Sequence, residues 1–204
     1  MQYSIAPTKA NLIKAKGMLK FSLKGFELLD KKRNVLIREM MGLVKRAEEV
    51  QNKIQDIFDG AYDSLRFANI TLGLNNVEDI AISIVNNEEF DVLSQSVMGV
   101  EIPKLIHTDT EKTVNYGLFR TNAALDEAVV KFNDVRMLIY ELGEIETSVY
   151  KLAMEIKKTQ KRANALDKIQ IPKFQELVKF IQDVLEEKER EDFFRLKKVK
   201  KKHR

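Results

Sequence analysis

The sequence predicts an all-α fold: a long antiparallel two-helix coiled-coil hairpin, with a small cap of one short helix and a β-hairpin between the two helices. Three observations predict it. Apolar residues follow a heptad repeat near the start of the chain, a second apolar ladder lies near its end, and a short segment rich in β-branched residues separates them. A sustained heptad repeat requires a partner helix, because a straight helix would rotate its stripe away from the seam. Two ladders in one chain pair most simply with each other, and a parallel homodimer is the competing interpretation.

The first ladder places the long N-terminal helix. Counting the heptad from Leu12 to Ser64, thirteen of the sixteen a and d positions are apolar. Pro7 and Thr8 stand just before the first periodic turn, where a helix start favours proline and a hydroxyl side chain. We therefore expect helix from there to about Phe67, roughly 90 Å long at 1.5 Å per residue. Its predicted seam residues are Leu12, Leu19, Phe26, Leu29, Leu36, Met40, Leu43, Val50, Ile54 and Ile57.

The segment between Asn69 and Asn115 breaks the helical period with several Gly, Asn and Pro residues. β-branched residues within Phe90–Ile106 predict a strand or hairpin with Pro103 at an edge. The apolar run Val77–Val85 fits a short helix or another strand, and helix is favoured. The predicted organisation is an N-terminal long helix, a connector with the short helix and β-hairpin, and a C-terminal long helix with a basic overhanging tip, over residues 1–67, 68–115 and 116–204.

The second ladder places the C-terminal helix, which we expect to open near Tyr116 or Leu118 and to run to about Leu196. Pairing Ser64 with Leu118 leaves everything beyond Phe174 without a partner in the chain. That overhang, roughly 30 residues or about 45 Å of amphipathic helix, would need another protein around it. The predicted seam residues of this helix are Leu138, Leu142, Ile145, Val149, Leu152, Ile156 and Leu166.

Three features of the helices each admit two interpretations. Arg33 occupies an a position, where it either fixes the register or meets an acid of the partner helix. Pro172 falls close to where the first helix ends, and it is either a tolerated bend or a joint between the paired and single-helix segments. The charge-dense run Glu186–Asp192 with the basic residues after it is favoured as a solvated helix face, rather than a tip facing an acidic collar or phosphates.

Composition narrows the class of protein. The 204 residues include 32% charged side chains, no Cys, no Trp and three Pro, a balance typical of long exposed helices. The absence of Cys, together with an N-terminus unlike a signal peptide, predicts a reducing, cytosolic compartment. No apolar run approaches the roughly 20 residues that cross a bilayer, so any membrane link is expected to pass through other proteins. The net charge of +4 is assigned to a C-terminal tail with seven positive charges, because the remainder has a net charge of −3.

No residue pattern indicates catalysis or a bound cofactor. The glycine-rich loop of phosphate-binding proteins is missing from the sequence. His107 and His203 have no paired ligand at helical spacing, so a metal site is not expected. No nucleophile has a base placed by a recognisable motif. The chain is therefore expected to be non-catalytic and to hold no cofactor.

Short residue runs at both ends and in the middle of the chain form an ordered set. Near the start lie Pro7-Thr8-Lys9, Leu28-Leu29 and Lys32-Arg33, and the middle carries Met98-Gly99-Val100-Glu101-Ile102-Pro103. Near the end lie Arg162-Ala163-Asn164-Ala165-Leu166, Ile171-Pro172 and Glu189–Lys197. Each run alone is a weak signal, whereas the set in this order is a strong one.

In this order the runs resemble the D subunit of the rotary V-type and A-type ATPases, the central-stalk shaft of those complexes. They are similar to that family's P-T-K and L-L-x-x-K-R patterns, its M-G-V-x-x-P element, and its R-x-N-A-L, I-P and E-R-E-x-x-F-R-L-K runs. The chain departs from the family at Asn34, where Asp commonly follows Lys-Arg, and at Asp167, where Glu is usual. Neither position lies in the predicted seam.

The resemblance implies a non-catalytic rotor subunit of a proton- or sodium-transporting ATPase, which transmits torque between ATP hydrolysis or synthesis in the catalytic ring and ion translocation in the membrane ring. It implies partners in the catalytic and non-catalytic A and B subunits of the ring, in the F subunit of the stalk and in a membrane-side adaptor, without nucleic acid or direct membrane insertion. It also implies a cytoplasmic place, peripheral to the membrane through the complex. The expected contacts to the catalytic ring are Pro172, Val178, Ile181, Leu185, Phe193, Phe194, Arg195, Lys197 and Lys198.

Two other classes of protein remain as alternatives. A prefoldin-like chaperone also joins long helices through a β-hairpin and would grip unfolded chains at its tips. A coiled-coil tether with a nucleic-acid-binding tail would bind DNA with a salt dependence set by about seven phosphate contacts. Neither alternative accounts for the ordered residue runs.

Overall fold

The computed structural model describes residues 6–84, 90–107, 116, 117, 119 and 121–202, and in that part of the chain the fold is almost entirely helical. The elements in order are α1 (Lys9–Leu72), α2 (Leu74–Ser83), β1 (Phe90–Val97), β2 (Val100–His107), α3 (Ala123–Ala165), a π-turn (Leu166–Gln170) and α4 (Ile171–Lys202). The predicted fold class, long helices with a β-hairpin between them in the sequence, is confirmed.

The chain divides into two compact units. The terminal unit consists of Met1–Val35 and Ile156–Arg204, and the central unit consists of Leu36–Glu155. Helices α1 and α3 each contribute residues to both units. The terminal unit therefore contains the start of α1 with the end of α3 and α4, whereas the central unit contains the hairpin and α2.

The N-terminus of α1 is capped as the sequence predicts. The Thr8 hydroxyl oxygen accepts a hydrogen bond from the backbone N–H of Asn11 at 3.2 Å, which satisfies one of the free amides of the first turn. At the other end the helix continues to Leu72, five residues beyond the predicted end at Phe67. Gly73 stops it, because its φ of 83° lies in a region that favours glycine.

Helix α2 packs against the ends of α1 and α3 within the central unit. Ala68, Val77 and Leu125 form a buried cluster, one residue from each helix. The short apolar run that fits either a helix or a strand is therefore a helix, because its apolar residues have two helices to pack against.

Strands β1 and β2 form a two-stranded antiparallel hairpin with a two-residue turn. Met98 and Gly99 both have positive φ, 52° and 79°, as a tight hairpin turn of the twist-matching type requires. Pro103 lies opposite Ser94. The predicted hairpin is confirmed.

Helix α3 begins at Ala123. The expected start at Tyr116 is wrong, because Tyr116 is not helical, and the other expected start, Leu118, lies outside the described residues. Asn122 supplies the physical reason. Its side-chain oxygen accepts a hydrogen bond from the backbone N–H of Leu125 at 3.0 Å, and its amide donates to the Thr71 hydroxyl at 2.6 Å. The same residue therefore starts α3 and fixes it beside the end of α1.

The expected pairing register is also wrong. Ser64 lies against Lys131 instead of Leu118, and Lys9 forms a salt bridge with Glu189. The later start of α3 and the longer α1 together shift the partner residues by about two heptads. Helix α4 is therefore paired with α1 well beyond Phe174, and the expected overhang from that residue onwards does not exist.

One turn before Pro172 the helix widens into the π-turn Leu166–Gln170. The backbone N–H of Ile171 donates to the carbonyl oxygen of Leu166, five residues earlier. Proline has no N–H and crowds the preceding turn, so a regular α-helix would be strained there. Helical structure nevertheless continues on both sides, so Pro172 neither ends the helix nor separates paired from unpaired segments.

Candidate functional site

In the terminal unit the seam between α1 and α4 has a small apolar core. Ala15, Leu177, Val178 and Ile181 are buried in one cluster. Leu12, Leu19, Phe174 and Leu185 pack against this cluster from its edges. These contacts hold α4 beside the first turns of α1.

The predicted seam positions are buried or half-buried throughout the described chain. On α1 the least exposed are Leu36 in the central unit, with no exposed surface, and Val50. On α3 they are Ile145 and Leu152. The half-buried members are Leu12, Leu19, Phe26, Leu29, Met40, Leu43, Ile54, Ile57, Leu138, Leu142, Val149, Ile156 and Leu166.

A polar group interrupts the apolar seam of the terminal unit at Arg33. Its guanidinium donates to the side-chain oxygen of Gln160 on α3 at 2.6 Å and forms a salt bridge with Asp30 on its own helix. The Gln160 amide in turn donates to the Asn164 side-chain oxygen at 2.8 Å. Arg33 and Gln160 lie side by side only when α1 and α3 pair in the observed register. Their hydrogen bond therefore distinguishes this register from one shifted by a heptad.

The central unit has two further polar contacts between helices. The Arg46 Nε donates to a Glu141 carboxylate oxygen at 3.0 Å. The Lys131 ammonium donates to the Ser64 hydroxyl at 2.9 Å and to the carbonyl oxygen of Gly60 at 3.3 Å. It also bridges to Glu127 at 2.8 Å, and its hydrogen bond and charge lower the pKa of that carboxyl group. Both contacts tie α1 to α3.

The residues expected to contact a catalytic ring fall into two groups. Val178 and Ile181 are buried against Ala15, so they offer little surface to a second protein, and Pro172 and Leu185 are half-buried. The remaining members lie on exposed helix surface: Phe193, Phe194, Arg195, Lys197 and Lys198. This second group, which follows the contact of α4 with α1 at Glu189, is the one open to a partner.

We call the exposed end of α4, Arg190–Lys202, the tip; it is about a dozen residues or roughly 20 Å long. Phe193 and Phe194 are 66% and 65% exposed, which is unusual for aromatic side chains in water. Together with Glu186, Glu189 and Arg190 they line a shallow depression. The tip thus combines apolar rings with five lysines in its last six residues.

Charge is distributed very unevenly between the two units. The terminal unit has 24 basic and 10 acidic residues, a net charge of +14, whereas the central unit has 11 basic and 21 acidic residues, a net charge of −10. Assigning the basic character to the tail alone is therefore wrong. The missed signal lies in the first 26 residues, which contain five lysines and no acid.

The described residues hold no group of three or more His, Asp or Glu side chains that could bind a metal ion. The side chains of His107 and His203 lie outside the described residues. None of the helices in the described part of the chain combines the length and apolar character that a bilayer span requires.

Comparison with known proteins identifies the family to which the chain is similar. The family model for the D subunit of ATP synthase matches residues 11–201. The chain belongs to the ATP synthase D-subunit family. It is 43% identical over 199 residues to the D subunit of the V-type ATP synthase of Thermotoga neapolitana, and the match covers 98% of both chains.

Archaeal members of the D-subunit family are also similar to it. The D subunit of the A-type ATP synthase of Pyrococcus furiosus is 36% identical over 201 residues, covering 96% of this chain and 93% of its own. That of Methanopyrus kandleri is 37% identical over 198 residues, covering 96% of this chain and 85% of its own. The resemblance inferred from the ordered residue runs is confirmed, and the chaperone and tether alternatives are not favoured.

Proposed function

We propose that this chain is the central rotor-stalk subunit of a V/A-type rotary ATPase and transmits torque between its catalytic and membrane rings. The observation that carries the proposal is the match to the ATP synthase D-subunit family over almost the whole chain. On this proposal the chain has no catalytic residue of its own. Its helices couple conformational changes in the ring subunits to rotation.

Rotation can bias nucleotide sites only if the stalk presents different surfaces to them. A nucleotide site of the ring that contacts the aromatic and basic tip gains interaction free energy that the other sites lack. Where this free energy differs between the conformations of the site, the contact shifts the balance between them. We assign this role to Phe193, Phe194, Arg195, Lys197 and Lys198, the exposed members of the predicted contact set. Val178 and Ile181 are assigned the supporting role of holding α4 against α1.

The finer partner assignments belong to the same proposal. The +14 terminal unit suits a ring opening lined by carboxylates, formed by the A and B subunits. The F subunit of the stalk and a membrane-side adaptor would take other surfaces. The proposed place is cytoplasmic, at the membrane through the assembled complex.

The experiment that tests the proposal is direct observation of rotation. Because the chain has no cysteine, a single introduced cysteine is its only thiol, and the chain can be labelled there before it is assembled into the complex. Gly143 on α3 is exposed and a Cβ there would meet no atom within 4 Å, so Gly143→Cys should leave the fold unchanged.

A bead attached at that cysteine, in a complex immobilised through its ring, should turn in one direction when ATP is added. It should stop when a non-hydrolysable analogue replaces ATP. An assembled, ATP-hydrolysing complex whose bead stays still would contradict the proposed role.

A further inference from the structure

Strand β1 is the most exposed regular element of the central unit. Every residue from Phe90 to Ser96 is exposed, although the strand carries Val92 and Leu93, which are 58% and 51% exposed. A two-stranded hairpin has two outer edges, and each presents unpaired backbone groups. In the described part of the chain, the outer edge of β2 is blocked, whereas the outer edge of β1 is open.

The pairing pattern identifies which backbone groups face outward. The N–H of Leu105 leaves the hairpin and donates to a Glu144 carboxylate oxygen on α3 at 2.8 Å, so Leu105 and its partner Val92 are a non-hydrogen-bonded pair. In an antiparallel ladder such pairs alternate with hydrogen-bonded ones. On β1 the outward-facing backbone groups therefore belong to Phe90, Val92, Ser94 and Ser96.

The outer edge of β2 is closed to another strand. Pro103 sits at an outward position and has no N–H to offer, and Glu144 already accepts the N–H of Leu105. Among the described residues, the outer edge of β1 has neither a proline nor a hydrogen bond to a neighbouring helix. It contains no Pro and no Lys, and within the described chain the outward N–H groups of Ser94 and Ser96 donate to no acceptor.

We propose that the outer edge of β1 accepts an extended, basic segment of a partner protein as a third strand of the sheet. Such strand addition takes its affinity from main-chain hydrogen bonds and its specificity from alternate side chains. The exposed Val92 and Leu93, one on each face of the sheet, supply those side-chain contacts. The proposal rests on the proposed function, since it supposes that the chain works inside a complex, and it deepens it by naming a docking site.

Charge identifies the occupant as a basic partner, and argues against a second copy of this chain. The central unit has a net charge of −10, and Asp91, the second residue of β1, is acidic. Pairing two copies through this edge would bring together two units that each have a net charge of −10, which is unfavourable. A segment with Lys or Arg side chains would instead be attracted to this edge.

Hydrogen exchange on the chain, alone and in the assembled ATPase complex, tests the proposal at single-amide resolution. Strand addition should slow exchange of the outward amides of Val92, Ser94 and Ser96 by about tenfold or more. The inward amides of Leu93 and Gln95, already bonded to β2, should change much less. Equal exchange of the outward amides in both states, or protection without alternation, would overturn the proposal.

A matched pair of variants tests the same edge by binding. Ser94→Pro removes an outward N–H that β2 does not use, so the hairpin should survive, whereas the added strand loses a hydrogen bond and meets the ring. Ser94→Ala keeps the N–H. Binding to the purified complex lacking this chain should weaken by about tenfold for Ser94→Pro and stay unchanged for Ser94→Ala.

Each remaining outcome is decisive. Equal binding by the two variants would overturn the proposal. So would a dimer of the free chain that Ser94→Pro dissociates, because the occupant would then be a second copy. Assembly and rotation with β1 amides unprotected would contradict only this inference, whereas a complex that never turns the chain would contradict the proposed function.

Discussion

Leu36 and Leu28 are a matched pair of leucines on α1 that differ in burial. Leu36 has no exposed surface, whereas Leu28 is 67% exposed. Leu36→Ala should lower the free energy of unfolding by about 2–5 kcal/mol, because it removes buried methyl groups and leaves a cavity. Leu28→Ala should change it by less than about 0.5 kcal/mol. Urea denaturation followed by circular dichroism measures both, and equal effects would show that the seam is not where α1 buries its apolar residues.

A charge at the same position is a harsher test. Leu36→Asp would place a carboxylate in the seam without a partner, so the helix pair should melt at a markedly lower temperature than with alanine. An unchanged melting temperature and helical content would rule out Leu36 as a seam residue.

Tyr116 makes the stability of the central unit depend on high pH. Burial and then the hydrogen bond that its hydroxyl donates to Asp126 raise the pKa of Tyr116 to about 12, from a usual value of 10.0. The folded state thus favours the neutral phenol more strongly than the unfolded state does. The resulting stabilisation is complete below about pH 10 and is lost as the pH rises towards 12.

Replacing Tyr116 by Phe isolates that effect. The wild type should lose stability between pH 10 and 12 more steeply than Tyr116→Phe. The difference in tyrosinate absorbance between the two proteins should titrate near 12. A difference titration centred at 10 would show that the hydroxyl is neither buried nor bonded to Asp126.

At the scale of elements, the π-turn explains how the apolar stripe stays in the seam. Buried or half-buried positions before it follow a three- or four-residue step through Ile156, Thr159, Ala163 and Leu166. The next buried position is Ile171, a step of five, after which the shorter steps resume. The turn therefore accommodates one extra residue, so that the stripes before and after it face the same partner helix.

Deletion of a residue should distinguish the π-turn from ordinary helix. Removing the exposed Ile169 should convert the π-turn to α-helix with a loss of stability of about 1 kcal/mol or less, because the stripe remains continuous. Removing the exposed Lys161 from α3 should cost more stability, because Ala163 and Leu166, which lie between the deletion and the π-turn, then rotate out of the seam by about 100°. Thermal unfolding compares the two deletions, and equal losses would contradict the phase-correcting role of the turn.

The elements were largely predictable, but their register was not. The heptad pattern identifies the buried face of α1, and the β-branched residues within Phe90–Ile106 identify the hairpin, because these are local properties. A heptad ladder looks the same after a slide of two heptads, so apolar spacing could not choose between Leu118 and Lys131 as the partner of Ser64. The choice depends on the Asn122 cap and on Arg33 meeting Gln160, contacts that no spacing rule supplies.

At the scale of the whole molecule, the charge of the terminal unit predicts salt-dependent assembly. Association of the chain with a complex lacking it should slow by about tenfold or more when ionic strength rises from roughly 0.05 M to 0.5 M. Glutamine in place of Lys197, Lys198 and Lys200 should weaken that dependence. Glutamine at three exposed basic residues of the central unit, Arg38, Lys45 and Lys53, should leave the salt dependence unchanged. Stopped-flow kinetics measures both variants, and an equal loss of salt dependence would contradict the prediction.

Two truncations separate folding from coupling. A chain ending after Asn164 would lose Leu177, Val178 and Ile181 and leave Ala15 uncovered, so its melting temperature should fall. A chain ending after Arg190 keeps that core and loses most of the tip. It should melt like the full chain but hydrolyse ATP without moving ions in the reconstituted complex. Normal coupled pumping by the second truncation would contradict the role proposed for the tip.

The extra residue at the π-turn also has an evolutionary consequence. A single codon gained or lost between Leu166 and Ile171 is enough to create or erase it, whereas the same event elsewhere in these helices would disrupt the pairing. This short stretch is thus the place where insertions and deletions should survive selection. Relatives whose genes are one codon shorter there should have a regular α-helix, and their proline should be replaced by another residue.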